Sequence, residues 1–136
     1  MPRVDLDSGI VIYLLEGGKA VQEAVKRRLR PTEGSPPAPC ISDLTRLECR
    51  VRPLREGKAE LLAQYDAFFG LPEVAVLPMA SAVDDLATEL RARHALKTPD
   101  ALHLATAITG GCEEIWTNDQ RLATAAAGRL RVAPLR

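Results

Sequence analysis

The chain is poor in aromatic residues, with one Trp, two Tyr and two Phe in 136 positions. That scarcity argues against the base-stacking faces of RRM or OB folds. Cysteine is also scarce. Cys40, Cys49 and Cys112 are odd in number and show no C-x-x-C spacing, which speaks against a disulfide framework and a zinc ribbon. No apolar run approaches the roughly 18 residues a membrane span requires, so no membrane partner is expected. Neither sign of charge is in excess. Eighteen Lys and Arg balance eighteen Asp and Glu, which excludes a histone-like binder and a polyanionic tail but leaves room for local patches. The opening residues carry Asp5 and Asp7 where a secretory leader has a basic and then an apolar stretch. The expectation is a soluble protein of a reducing cytoplasm.

What is present suits one compact domain over residues 1–136, at 46% apolar and 26% charged residues. Val4 to Asp7 reads as a first strand, turned at Ser8-Gly9 into the apolar run Ile10 to Leu15. Beyond Gly17-Gly18, residues Ala20, Val21, Ala24, Val25 and Leu29 recur at helical spacing. Pro31 to Pro39 reads as a loop, with a short strand over Ala38 to Ile41 and Ser42 as the cap of a helix. Leu44, Leu47, Val51 and Leu54 form that helix's apolar seam, and Pro53 is expected to end or kink it. Glu60 to Phe69 is a second helix, Val74 to Leu77 a buried strand, and Val83, Leu86 and Leu90 mark a third helix. Thr98 is read as an N-cap with Pro99 in the first turn of a helix ending at Gly110-Gly111. Glu114 to Trp116 is a strand, Asn118 a cap for a short helix, and Leu130 to Val132 a last strand. Alternating strands and helices imply a three-layer α/β fold with a central, mostly parallel sheet of about five strands flanked by helices.

In such sheets, functional groups gather beyond the carboxyl ends of the strands. Asp7, Asp100 and Asp119 fall there, and Glu48 is a fourth acid that could converge with them. Such a cluster repels itself unless something positive sits between the acids, and the economical choice is a hard divalent cation, Mg²⁺ or Mn²⁺. Each acid also has a plainer use: Asp7 as a cap, Asp100 and Asp119 as first-turn charges, Glu48 as an i,i+4 partner of Arg52.

The words around these acids resemble four motifs of PIN-domain ribonucleases. Leu6-Asp7-Ser8-Gly9-Ile10-Val11 is similar to the first, and Ile41-Ser42-Asp43-Leu44-Thr45-Arg46-Leu47-Glu48 to the second. Thr98-Pro99-Asp100-Ala101-Leu102-His103 resembles the third, and Trp116-Thr117-Asn118-Asp119 the fourth. Order, spacing and length are similar to those of the VapC toxins of type II toxin–antitoxin modules. The resemblance implies a PIN-fold endoribonuclease that uses Mg²⁺ or Mn²⁺, dimerises with a second copy and is held inactive by an antitoxin. Asp7, Glu48, Asp100 and Asp119 become its catalytic and metal-site carboxylates, with Ser8 and Thr117 orienting them.

Asp5 departs from the family pattern, and it is expected to pair with an arginine such as Arg131 rather than to extend the acidic site. His103 is read as a satisfied structural histidine. RNA would be met by basic groups drawn from Lys26, Arg27, Arg28, Arg30, Arg46, Arg50, Arg52, Arg55, Arg91, Arg93 and Lys97. The Tyr13-bearing first helix and the group Tyr65, Phe68 and Phe69 could build an antitoxin groove or be plain core. Two other readings compete. One is a haloacid-dehalogenase-type phosphatase with Asp5 as nucleophile and Asp7 as acid/base; the other is a catalytically silent binding module.

Overall fold

The computed structural model describes residues 2–30 and 37–135. Its strands are β1 (Arg3–Leu6), β2 (Ala38–Ser42), β3 (Ala75–Leu77), β4 (Glu114–Trp116) and β5 (Arg131–Ala133). All pairings are parallel, in the order β3-β2-β1-β4-β5. Seven helices among the described residues cover the sheet: α1 (Ser8–Glu16), α2 (Lys19–Leu29), α3 (Asp43–Arg55), α4 (Ala59–Phe69), α5 (Ser81–Arg93), α6 (Thr98–Thr109) and α7 (Arg121–Ala126). The expected three-layer architecture is what the chain adopts.

Side-chain alternation along the strands assigns the layers. Val4, Leu6 and Trp116 pack with Val11, Val25, Ile41, Tyr65 and Phe69 on the side of α1 to α4. Ile115 packs with Val83, Leu90, Leu104, Leu122 and Ala126 on the side of α5 to α7. Tyr65, Phe68 and Phe69 are therefore core, and the Tyr65 hydroxyl donates to Glu16.

Helix α3 departs from the expected packing in two ways. Its buried residues are Thr45, Cys49 and Pro53, spaced i, i+4, i+8, whereas Leu47, Val51 and Leu54 are exposed. Pro53 neither ends nor visibly interrupts the helix, which continues to Arg55. It sits within the last turn on the buried face, so its ring packs inward and its missing N–H costs only one bond, to Cys49.

Caps shift as well. Lys97 rather than Thr98 is the N-cap of α6, leaving Pro99 in the first turn, and Gln120 rather than Asn118 precedes α7. The Asn118 amide oxygen instead accepts from the N–H of Leu135 at 2.9 Å. Gly111, at φ 75°, makes the left-handed turn out of α6. Of the Pro-rich loop expected over Pro31 to Pro39, residues 31–36 lie outside the described residues, and Ala38 and Pro39 belong to β2.

This topology places the site. The chain leaves β1 toward β2 on one side and later returns beside β1 as β4, so the sheet order switches direction at β1. A crevice opens there beyond the carboxyl ends of β1 and β4. The N–H of Asp7 on the carbonyl of Trp116 (3.2 Å) ties the two strand ends together.

Candidate active site

Asp7, Glu48, Asp100 and Asp119 line one cleft of about 220 Å³, together with Ser8, Gly9, His103 and Leu122. The chain thus brings together every carboxylate expected at the site, Glu48 and Asp100 from two helices and Asp7 and Asp119 from beyond the ends of two strands.

Asp7 is the N-cap of α1 and accepts from the N–H of Ile10 at 2.9 Å, so its capping use and its place in the cleft coexist. Burial pushes its carboxyl above the usual value, opposed by the Thr117 hydroxyl and the Ile10 N–H. Thr117 is fully buried and also accepts from the N–H of Asp119 at 3.0 Å, so one hydroxyl serves two of the acids.

Glu48 is held from both sides. Ser8 Oγ donates to its Oε1 at 2.6 Å, and His103 Nε2 lies 2.6 Å from the same oxygen. His103 and then Ser8 hold the Glu48 carboxyl below its ordinary value against the effect of burial. The ring's other nitrogen, Nδ1, lies 2.7 Å from Ser42 Oγ. The Nε2–H donates to the Glu48 carboxylate, which has no proton to give, and Nδ1 and Ser42 Oγ share the second hydrogen bond. His103 is satisfied, as expected, but one of its partners, Glu48, belongs to the cleft, while the other, Ser42, is buried behind it. Its position three residues after Asp100 on one helix face was the available signal. Arg52, the sequence-level partner of Glu48, pairs instead with Glu56.

Asp119 and Asp100 share a partner that the sequence reading overlooked. Arg121 Nε lies 3.0 Å from Asp119 Oδ1, and Nη2 lies 2.7 Å from Oδ2 and 3.4 Å from Asp100 Oδ2. This fork holds the Asp119 carboxyl below its usual value. The signal was Asp119-x-Arg121 at the entry to a helix, where an acid two residues before can accept from both the N–H and the guanidinium of the arginine.

Asp5 disagrees with its expected pairing. It is fully buried, neither oxygen has a hydrogen-bond partner, and it does not line the cleft. Arg131 lies on β5 directly opposite Glu114 of β4 and bonds to that residue, while β4 separates it from Asp5 on β1. Burial pushes the Asp5 carboxyl well above the usual value. A fold in which a carboxyl titrates high is favoured most below the ordinary value of about 3.9, and it loses that support as pH rises through the folded value. Asp5→Asn cannot ionise, so its stability relative to the native chain should rise as pH climbs above about 4 in denaturant unfolding. A difference independent of pH would contradict this account of Asp5. Full burial also denies Asp5 the contact with substrate that a phosphatase nucleophile needs.

The donor set is all oxygen, which suits a hard divalent cation and not a thiophilic one. Among the described residues, no three His, Cys, Asp or Glu side chains stand close enough to hold a metal ion between them. The positive charge between Asp100 and Asp119 is supplied by Arg121. The cleft therefore fits the cation in donor chemistry, with two of its acids engaged by an internal cation.

Outside the cleft, Leu47, Val51 and Leu54 of α3 and Leu62 of α4 line a shallow apolar groove of about 310 Å³. Many of the basic residues considered for RNA are paired at the surface, among them Arg30 with Glu23, Arg46 with Asp43 and Arg50 with Asp66. No described helix is long and apolar enough to cross a membrane.

The PIN domain family matches residues 5–128 of the chain. No curated protein matches it in sequence. Among solved structures, a toxin–antitoxin complex from Klebsiella pneumoniae is similar at 23% identity and TM-score 0.71, with 98% of each chain covered. The VapBC of Salmonella typhimurium, solved bound to DNA, is similar at 17% identity and TM-score 0.72, with 100% of both chains covered. The sarcin–ricin-loop-cleaving toxin VapC20 of Mycobacterium tuberculosis is similar at 19% identity and TM-score 0.70, covering 93% of this chain and 96% of that one.

Proposed function

Because the chain belongs to the PIN-domain family and gathers four carboxylates in one cleft, we propose that it is a metal-dependent endoribonuclease, the toxin of a type II toxin–antitoxin pair. The convergence of Asp7, Glu48, Asp100 and Asp119 at the strand-order switch is the observation that carries this reading. Oxygens from among those four side chains would hold Mg²⁺ or Mn²⁺ once the acids close in from their spacing here, at which no three stand near enough. A divalent cation there would supply a Lewis acid for the phosphodiester and for the attacking water.

The chain's own residues do the positioning. Ser8 and His103 present Glu48 as a carboxylate, and Thr117 with the Ile10 N–H fixes the orientation of Asp7. Gly9 keeps the mouth open: a Cβ there would stand 3.3 Å from Asp7 Oδ1. RNA, a second copy of the chain and an antitoxin are the partners this reading implies. The exposed row Leu47, Val51 and Leu54 is the surface we assign to an amphipathic segment of the antitoxin, since it offers one helix-length apolar stripe. The likeness to solved toxin–antitoxin complexes supports an antitoxin as a partner.

The test is cleavage of a structured RNA pool by purified, antitoxin-free protein in Mg²⁺, in Mn²⁺ and in EDTA, with Asp100→Asn alongside. Cleavage by the native chain that disappears in EDTA and in the variant is the expected outcome. Cleavage that survives both would contradict the site. Folded protein that binds Mn²⁺ yet cuts none of the RNAs would favour the binding-only module.

A further inference from the structure

Arg121 has the features of a displaceable counter-ion. Its guanidinium meets Asp119 side-on through Nε and Nη2, at 3.0 and 2.7 Å, and reaches Asp100 at 3.4 Å. The side chain is 62% exposed, and these acids are its only side-chain partners among the described residues. Its neighbour Leu122, by contrast, is buried and anchors the start of α7. The N–H of Arg121 also bonds Asp119 Oδ1 at 3.0 Å, so Asp119 stays oriented when the guanidinium leaves. No Lys or Arg is among the residues lining the cleft, whose walls carry four acids. Without Arg121, Asp100 and Asp119 would face each other with no compensating charge, the condition under which a dication binds most strongly.

We propose that Arg121 is the resident counter-charge of the cleft and competes with the divalent cation for Asp100 and Asp119. The inference rests on the reading of the cleft as a cation site and deepens it. Cation entry swings the guanidinium toward solvent, and the affinity of the site is set partly by the cost of that exchange. A fork on two carboxylates, even an exposed one, is a stronger competitor than a single point charge.

Arg121→Gln and Arg121→Lys in the full chain test this, with Mn²⁺ binding followed by calorimetric titration and thermal unfolding recorded with and without Mn²⁺. The Gln variant should bind Mn²⁺ about tenfold more tightly than the native chain, as expected for removing one nearby positive charge from a partly solvated site. The Lys variant, which keeps the charge and loses the fork, should fall between them. Without cation the Gln variant should unfold at a lower temperature than the native chain, and Mn²⁺ should raise that temperature more. A residue of purely structural use would lower stability and leave the affinity unchanged or weakened. Equal or weaker Mn²⁺ binding by the Gln variant, with the native chain binding normally, would overturn the competition and leave the cation site intact. No Mn²⁺ binding by any of the three proteins would overturn the competition and the reading beneath it.

Discussion

Asp7→Asn is expected to lower RNA cleavage about 1000-fold while leaving the fold as stable as the native chain, or slightly more so. The two halves of this result have separate causes. Asn caps helices as well as Asp does, so its amide oxygen keeps the bond from the Ile10 N–H and α1 starts unchanged. The substitution also removes a charge that burial opposes, since the Asp7 carboxyl titrates above its usual value. Cleavage falls because a neutral amide is a poor ligand for a hard cation, and several kcal/mol of transition-state stabilisation depend on that ligand set. Asp7→Ala separates the two uses: it should lose cleavage equally and in addition about 1 kcal/mol from the missing cap. Steady-state cleavage and denaturant unfolding on the same preparations check both. An Asn variant that kept more than a tenth of native cleavage would remove Asp7 from the site.

The second large effect is at His103. His103→Ala should cost about 2–4 kcal/mol of stability, from an imidazole-sized cavity and a Ser42 hydroxyl left short of a partner. It should also lower cleavage about 10- to 100-fold, the usual range for removing a group that orients a metal-binding carboxylate. The pH profile tells positioning from mere folding. His103 is the largest influence holding Glu48 below its ordinary value. Glu48 is therefore a carboxylate down to a lower pH in the native chain than in the variant, and the support its charge gives the fold is lost as pH falls through that lowered value. In His103→Ala the acid limb of the cleavage profile should move to higher pH. His103→Gln, whose amide nitrogen can reach Glu48 much as Nε2 does, should restore part of the activity and of the acid limb. If the limb stayed in place in the Ala variant, His103 would be a packing residue only.

The fold was legible because strands and helices alternate with clear punctuation, and three of the acids because Asp7 and Asp119 follow strand ends and Asp100 opens a helix; Glu48, in the middle of α3, was reached through the words around it. What escaped had physical reasons. In α3, helical spacing gives two stripes: Leu44, Leu47, Val51 and Leu54, or Thr45, Cys49 and Pro53. Periodicity says which residues share a face but not which face meets the sheet. The less apolar stripe went inside, where Thr45 packs beside Ser42, whose Oγ accepts its N–H. Asp5 and Arg131 looked like opposite charges in need of each other, yet sheet order puts β4 between their strands, and adjacency in a sheet is not written in local sequence. Arg121 was passed over, since a charge at the start of a short helix usually serves only the solvated surface. Only the convergence of α6 with the end of β4 reveals that its guanidinium has two acids to reach.

The most direct test of the central claim, that four distant carboxylates form one divalent-cation site, is anomalous diffraction from crystals of the native chain equilibrated with Mn²⁺. The account predicts Mn²⁺ anomalous density in the cleft, within bonding distance of carboxylate oxygens from among Asp7, Glu48, Asp100 and Asp119, with the Arg121 guanidinium turned away from Asp119. Well-ordered crystals with Mn²⁺ bound elsewhere, and the cleft still spanned by Arg121 at saturating cation, would contradict it.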